Sequence, residues 1–84
     1  MIIYKIEERR SYANFPGGYR EDVGTYEVVR KIFDTNKEMA KFFSGMCEDY
    51  IDNFIFEDEV EANMFCLKLN CDKLADVYNK VKKA

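Results

Sequence analysis

The 84-residue sequence contains no histidine, and this absence excludes many kinds of chemistry. Histidine is the usual general base of serine and cysteine hydrolases and the commonest ligand of transition metals. Most hydrolase and metalloenzyme mechanisms are therefore excluded. The sequence also lacks an apolar run as long as a signal-peptide core or a transmembrane helix. We therefore expect a cytoplasmic protein that makes no membrane contact.

Cysteine and proline are scarce. The three cysteines, Cys47, Cys66 and Cys71, form an odd set without a C-x-x-C pair, which is untypical of a disulfide framework or a zinc site. Each lies at an apolar position of a predicted helix, so we expect reduced thiols buried in the core. The single proline, Pro16, precedes Gly17-Gly18, and this combination predicts a reversal of the chain with positive φ.

Lysine and arginine are missing between Phe42 and Leu67, although the chain has 13 basic residues in all. The net charge is only -3, yet seven acids lie in this one stretch. We call residues 48–61 the acidic segment, and its acids are Glu48, Asp49, Asp52, Glu57, Asp58, Glu59 and Glu61.

The acidic segment has two interpretations. In the first interpretation, the segment is a surface that complements a basic groove, imitates nucleic-acid phosphates and is steered to its partner by charge. Alternatively, the acids at 57–61 stabilise a helix N-terminus through the dipole, and the rest are simply solvated. Glu48 and Asp49 favour the binding interpretation, because the predicted helix places them near its C-terminus, where acids are unfavourable.

The length predicts one domain, residues 1–84, close to the size at which burial of apolar surface only just exceeds the loss of chain entropy. Seven Phe and six Tyr supply the bulk of such a core. Residues 2–9 alternate, with Ile2, Tyr4 and Ile6 predicted to face inward from a half-buried strand. Residues 24–33 predict a second strand, paired with the first as an antiparallel hairpin through a loop at 10–22.

Helical signals follow the second strand. Thr35 and Glu38 match a capping box and predict a helix start. Apolar residues then recur at helical spacing and predict that this helix ends near Asp52 or Asn53, with Gly45 a weak point that costs roughly 1 kcal/mol relative to alanine. Residues 54–56 are too short and too apolar for anything but a buried third strand.

The segment from 59 to 84 is ambiguous. Its apolar residues recur at alternating spacings of four and three, and they are Val60, Met64, Leu67, Cys71, Leu74, Tyr78 and Val81. Because Asn70 and Asp72 are good cap residues, we prefer two helices with a break near Asn70, then one long kinked helix, then a strand followed by a helix. The spacing lasts about three heptads without a consistent charge pattern, so it favours a core-facing helix over a coiled coil.

These elements predict an α+β fold of order ββαβα(α), with the C-terminal helix or helices on one face of a small, mainly antiparallel sheet. The other face would be open to self-association through the sheet or the aromatic loop, so a homodimer is an open alternative.

A second candidate surface is the loop, in which three arginines alternate with aromatic residues: Arg9, Arg10, Tyr12, Phe15, Tyr19 and Arg20. Such a mixture is typical of single-stranded nucleic-acid sites and of protein hot spots. The alternative is a hairpin whose aromatics cover the open end of the core.

Paired carboxylates, Asp49 with Asp52 and Asp58 with Glu61, have spacings that could suit Mg²⁺ or acid–base work. Acids this common match such spacings by chance, and the residue order of a calcium-binding EF-hand is absent. We therefore predict no catalytic residue, no metal and no cofactor.

In size and charge the chain resembles the small acidic inhibitors that phages encode against nucleic-acid-handling host machinery, anti-CRISPR proteins among them. The resemblance implies a non-enzymatic inhibitor or adaptor that acts in the host cytoplasm and docks its acidic segment on a basic, nucleic-acid-binding surface. It transfers no residue roles. A nucleic-acid or ribonucleoprotein binder using the loop at 9–20 is the alternative, although the negative net charge disfavours direct binding. A carboxylate enzyme is the third class.

Overall fold

The computed structural model describes residues 1–83, apart from the side chains of Val81 and Lys83, and it confirms the predicted α+β class. Within these residues, five strands and three helices follow one another: β1 (Ile2–Arg9), β2 (Tyr12–Phe15), β3 (Tyr19–Asp22), β4 (Thr25–Ile32), α1 (Asn36–Phe43), α2 (Glu48–Phe54), β5 (Ile55–Phe56) and α3 (Glu59–Lys83).

The main sheet has the strand order β4-β1-β5 and is antiparallel throughout. Strand β1 pairs with β4 along its full length, from Ile2 opposite Ile32 to Arg9 opposite Thr25. Two residues of β5 pair with the other side of β1. The predicted pairing of the two long strands is therefore confirmed, and so is the short third strand.

Both faces of this sheet carry a fully buried residue. Ile3 and Ile6 are each 1% exposed, and because side chains alternate along a strand they lie on opposite faces. Ile6 packs under α3, against Ala62 and Cys66. Ile2, which the sequence pattern places inward, is 41% exposed. The prediction of a strand buried on one side only is thus wrong.

The face that carries Ile3 is not left open. Lys5 and Lys31 lie on this face, and the Phe42 ring of α1 is 5.8 Å from the Lys5 ammonium and 5.7 Å from that of Lys31. The Tyr50 ring of α2 lies 5.8 Å from the same Lys5 ammonium. Two short helices therefore cover the face that we expected to be free for self-association.

The segment at 10–22 is more ordered than the predicted loop. Strands β2 and β3 form a separate antiparallel hairpin, from Tyr12 opposite Asp22 to Phe15 opposite Tyr19. Gly17 and Gly18 have φ values of 89° and 78°, which confirms the predicted reversal at these glycines.

The helix start at Thr35 is confirmed. The Thr35 hydroxyl accepts a hydrogen bond from the Glu38 N–H at 3.2 Å, and the Glu38 carboxylate accepts one from the Asp34 N–H at 3.1 Å. The helix does not continue to residues 52–53, however, because it ends at Phe43 and α2 begins at Glu48. The break lies at the predicted weak point, Gly45, where glycine loses more backbone entropy than other residues in a helix.

Aromatic rings join α2 to α3. Tyr50 stacks on Phe54 with a centroid distance of 5.2 Å, and Phe54 meets the edge of Phe65 at 5.8 Å. Phe56 of β5 lies 5.4 Å from the same Phe65 ring. The Tyr50 hydroxyl also donates to the Ile6 carbonyl at 2.7 Å. The two helices are therefore held as one packed unit at the β5 side of the sheet.

The C-terminal segment is one helix without a break, so the preferred two-helix prediction is wrong. Asn70 does not cap a helix end. Its side chain bonds to the edge strand β4, accepting from the Tyr26 N–H at 2.7 Å and donating to the Tyr26 carbonyl at 3.0 Å. An asparagine in mid-helix is thus explained by a contact with a residue 44 positions away.

The apolar stripe of α3 does not face the core, contrary to the prediction. Five of its residues are between 62% and 71% exposed, namely Val60, Met64, Leu67, Leu74 and Tyr78. Cys71 is exposed as well, whereas the Val81 side chain lies outside the described residues. The predicted burial of all three cysteines fails too, because only Cys66 is buried and Cys47 is exposed.

Candidate functional site

All seven acids of the acidic segment are exposed. Asp58 also has a local structural role, because its carboxylate accepts a hydrogen bond from the Val60 N–H at 2.9 Å, in the first turn of α3. Glu59 and Glu61 lie in that first turn. The helix-dipole interpretation therefore accounts for part of the segment, and it leaves the charges in solvent.

Glu48 and Asp49 lie in the first turn of α2, not near a helix C-terminus as the sequence analysis placed them. The chain breaks after Phe43, so these two acids begin a new helix, where its dipole favours them. The argument that drew support for binding from an unfavourable position is therefore wrong. Two acids of the segment, Asp52 and Glu57, have neither a cap role nor a first-turn position.

The ion pairs of the protein lie elsewhere. Among the described side chains, the salt bridges join Lys5 to Glu7, Arg9 to Glu27, Arg10 to Glu8, Lys73 to both Glu8 and Asp22, and Lys80 to Glu21. None of them involves an acid of the acidic segment. The negative charge of the strands is thus largely paired, whereas the acids of α2 and of the start of α3 are in none of the described ion pairs.

The second candidate surface forms part of the β2–β3 hairpin. The Arg20 guanidinium lies 4.7 Å from the centroid of the Tyr12 ring, and Tyr12 is 53% exposed. Phe15 and Tyr19 contact each other at 6.0 Å and are half-buried. The hairpin belongs to a separate sheet, and none of these rings joins the core under α3. The interpretation in which these aromatics close the core is therefore wrong.

The other two arginines of this surface are engaged by acids of the main sheet. The Arg9 side chain lies 2.8 Å from the Glu27 carboxylate, and Arg10 lies 3.9 Å from Glu8. Tyr19 donates to Glu21 at 2.7 Å, and this hydrogen bond raises the pKa of Tyr19. The structure thus brings together the Tyr12–Arg20 pair but leaves Arg9 and Arg10 in ion pairs of their own.

A junction that the sequence analysis missed lies around Lys73. Its ammonium is 3.3 Å from Glu8 and 3.2 Å from Asp22, so one side chain of α3 ties β1 to the end of β3. Burial opposes the charge on Lys73, but the hydrogen bonds to Asp22 and Glu8 outweigh it and raise the pKa. The Gly24 N–H donates to Asp22 at 2.8 Å and lowers the pKa of that carboxyl. No local pattern indicates such a junction.

A groove of about 230 Å³ adjoins this junction. It is lined mainly by apolar groups, and no acid of the acidic segment contributes to it: its residues are Val23, Gly24, Thr25, Asn70, Lys73, Leu74 and Val77. Ligand pockets usually have roughly 300 to 1,000 Å³. Within the described part of the chain, no group of three or more metal-ligating side chains is arranged to hold a metal ion. The carboxylate pairs of the acidic segment lie on exposed helix surface.

No protein-family model, curated protein or solved structure matches the chain. In residues 1–83, none of the helices combines the length and the apolar character that crossing a membrane requires.

Proposed function

We propose that the protein is a small, non-enzymatic binding protein that docks its acidic segment on a basic surface of a partner protein, as an inhibitor or adaptor. One observation carries the proposal. Seven exposed acids lie within residues 48–61, and none of them is paired with a described basic side chain. Helix capping and first-turn positions account for five of these acids, whereas Asp52 and Glu57 are exposed without either role.

The physical basis is the summed electrostatic potential of the seven carboxylates. A single exposed charge contributes only about 0 to 1 kcal/mol to an ion pair, but several charges of one sign create a field that steers a partner of opposite charge. The aromatic contacts between α2 and α3 hold the acids of both helices on one rigid unit. Such a preorganised surface loses little entropy on binding.

The partner class follows from the charge. Surfaces that bind nucleic acid are basic, because they must neutralise phosphates, and an array of carboxylates competes for the same groups. We therefore propose a nucleic-acid-targeting protein or complex as the partner, in the manner of the phage-encoded anti-CRISPR inhibitors that the chain resembles in size and charge. A cytoplasmic location is part of the proposal, and it is supported by the three free thiols.

The decisive experiment compares two triple reversals of equal charge. The test variant is Asp49→Lys, Asp52→Lys and Glu59→Lys, and the control is Asp34→Lys, Asp72→Lys and Asp76→Lys, which changes exposed acids outside the acidic segment. Each is used to capture proteins from a lysate, alongside the wild-type protein. Thermal melts verify that both variants are folded.

We expect the wild-type protein and the control to retain the same basic protein, and the test variant to lose it. Retention should also weaken steeply between about 50 and 500 mM salt, because the Debye length shrinks severalfold over this range. A partner that both reversals lose equally would reflect net charge alone. Binding by the test variant at wild-type strength would reject the acidic surface.

A second candidate function, single-stranded nucleic-acid binding, is favoured by the exposed Tyr12 ring with Arg20 stacked on it. Bases stack on such rings, and a nearby guanidinium attracts the backbone. A labelled single strand should then shift with the wild-type protein, and Tyr12→Ala with Arg20→Ala should abolish the shift. Lys37→Ala, an exposed basic residue outside the hairpin, is the matched control. An equal shift by all three proteins would exclude the hairpin.

A further inference from the structure

The exposed stripe of α3 is the largest apolar feature that the fold does not use. Its described residues recur at spacings of 4-3-4-3-4, which is the heptad repeat of a coiled-coil seam: Val60, Met64, Leu67, Cys71, Leu74 and Tyr78. Leu74 is 71% exposed and Met64 is 67% exposed. A stripe of large side chains in water along the whole helix favours burial against a partner.

The opposite face of the same helix is already anchored. Ala62 is fully buried and Cys66 is 8% exposed, and both pack on the sheet. Asn70 and Lys73 fasten the same face to β4, β1 and β3. Because the sheet occupies only this side, a second helix can approach the stripe without displacing any described element of the fold.

The chain exposes more surface than a compact monomer of the same mass, and the excess is comparable to a protein interface. The chain exposes 6422 Å², whereas a compact monomer of 10.0 kDa exposes about 5,200 Å², an excess of about 1,200 Å². Its radius of gyration is 16.3 Å, against about 12 Å for a compact chain of this length. Each partner in a standard-size interface contributes about 800 Å². The excess is therefore enough for a specific interface.

We propose that two copies of this chain pair through the stripe of α3 as an antiparallel two-stranded coiled coil. A heptad seam is complementary to itself, so a two-fold dimer buries the same residues on both chains. The helix begins with Glu59 and Glu61 and ends with Lys80 and Lys82. Antiparallel pairing places the acidic start beside the basic end, and it also aligns the helix dipoles favourably. Parallel pairing would set like charges side by side.

The charges also select a register. Glu61 and Lys82 flank the stripe on the same side, three heptads apart. When Leu67 packs against Tyr78 of the partner subunit and Cys71 against Leu74 of the partner subunit, Glu61 lies beside Lys82 of the partner subunit. The dimer goes beyond the proposed function, because its seam consists of apolar residues. Of the seven acids in the acidic segment it engages only Glu61, so the other six remain available to a basic partner.

Sedimentation equilibrium of the full chain tests the dimer over about 1 µM to 1 mM, the range in which weak and moderate interfaces dissociate. We expect twice the 10.0 kDa chain mass at the upper end. Leu67→Glu with Leu74→Glu should give a monomer with an unchanged far-UV circular dichroism spectrum, because both residues are exposed in the single chain. Asn79→Glu, an exposed position off the stripe, adds a charge to the same helix and should remain dimeric.

A charge exchange tests the orientation. Glu61→Lys should weaken the dimer by about 10-fold, equivalent to about 1.4 kcal/mol, and adding Lys82→Glu should restore it. A wild-type chain that is monomeric throughout the range overturns the proposal, even if the stripe captures some other protein. A dimer that survives Leu67→Glu with Leu74→Glu overturns it as well. If the variant with both Glu61→Lys and Lys82→Glu dimerises no more tightly than Glu61→Lys alone, the antiparallel register is wrong.

Discussion

The bond between Asn70 and strand β4 yields the sharpest test of the fold. Tyr26 lies on an edge strand, and its N–H and C=O groups face away from β1, where no further strand is available. The Asn70 amide supplies the missing donor and acceptor, at 3.0 Å and 2.7 Å. The Cys66 thiol donates to the same carbonyl at 3.2 Å. Replacing Asn70 by alanine removes both amide bonds and no large apolar contact.

The expected loss of stability follows from these bonds. Each neutral hydrogen bond contributes about 0.5 to 1.5 kcal/mol net, so the two together contribute about 1 to 3 kcal/mol. Alanine recovers up to about 0.7 kcal/mol through its higher helix propensity. We therefore expect Asn70→Ala to lower the free energy of unfolding by about 0.3 to 2.3 kcal/mol, with about 1.3 kcal/mol at the middle of this range. For a domain of this length, the middle of this range lowers Tm by roughly 5 to 10 °C.

Asn79→Ala is the matched control, because Asn79 is exposed on the same helix and forms none of the hydrogen bonds described. It should be as stable as the wild-type protein or slightly more so, through helix propensity alone. Urea unfolding at one low protein concentration measures both variants, since the stability of a dimer would depend on concentration. Asn70→Ala should shift the midpoint without changing the m-value. Equal midpoints for the two variants would show that the Asn70–Tyr26 bond does not stabilise the fold.

Three further predictions follow from the described contacts. Thr35→Ala should destabilise α1 by about 1 kcal/mol through loss of its cap, measured as faster hydrogen exchange in that helix; unchanged exchange would place the cap elsewhere. In dilute, monomeric protein Cys47 and Cys71 should react rapidly with a thiol reagent, whereas Cys66, whose pKa burial raises, should react only on unfolding; rapid labelling of Cys66 would contradict its burial. Folding lowers the pKa of Asp22, so this carboxylate stabilises the fold fully above its ordinary pKa of 3.8 and loses that effect as the pH falls through the folded pKa. In thermal melts below pH 4, Asp22→Asn should therefore lose less stability with falling pH than the wild-type protein.

Local signals predicted the elements well. The capping box at Thr35, the glycine pair at 17–18 and the two long strands act over a few residues, so their physics is visible in the sequence. The exposure of the acidic segment was equally predictable, since seven charges cannot be buried without partners.

Contacts between residues far apart in the sequence could not be predicted. Asn70 reads as a helix cap because its partner, Tyr26, lies 44 positions earlier. Lys73 meets Asp22 and Glu8 across 51 and 65 positions, and nothing local singles it out. Gly45 was a predicted weak point and Asn70 a predicted break, but only the first lies at a helix break, because the bond from Asn70 to β4 stabilises a continuous α3. The break at Gly45 is what places Glu48 and Asp49 at a helix start.

The residues of α3 that pack on the sheet explain why the sequence could not identify the buried face of this helix. The residues under the helix are small, with Ala62 and Cys66 at the centre, because aromatic rings from its surroundings, such as Tyr26 and Phe56, fill the space. The large apolar residues lie on the other face. Because large apolar residues are usually buried, the sequence pattern predicted that the stripe faces the core. A chain near the lower size limit for independent folding does not readily leave five such residues in water. The exposed stripe is thus the reason for our proposal that α3 of a second copy packs on this face.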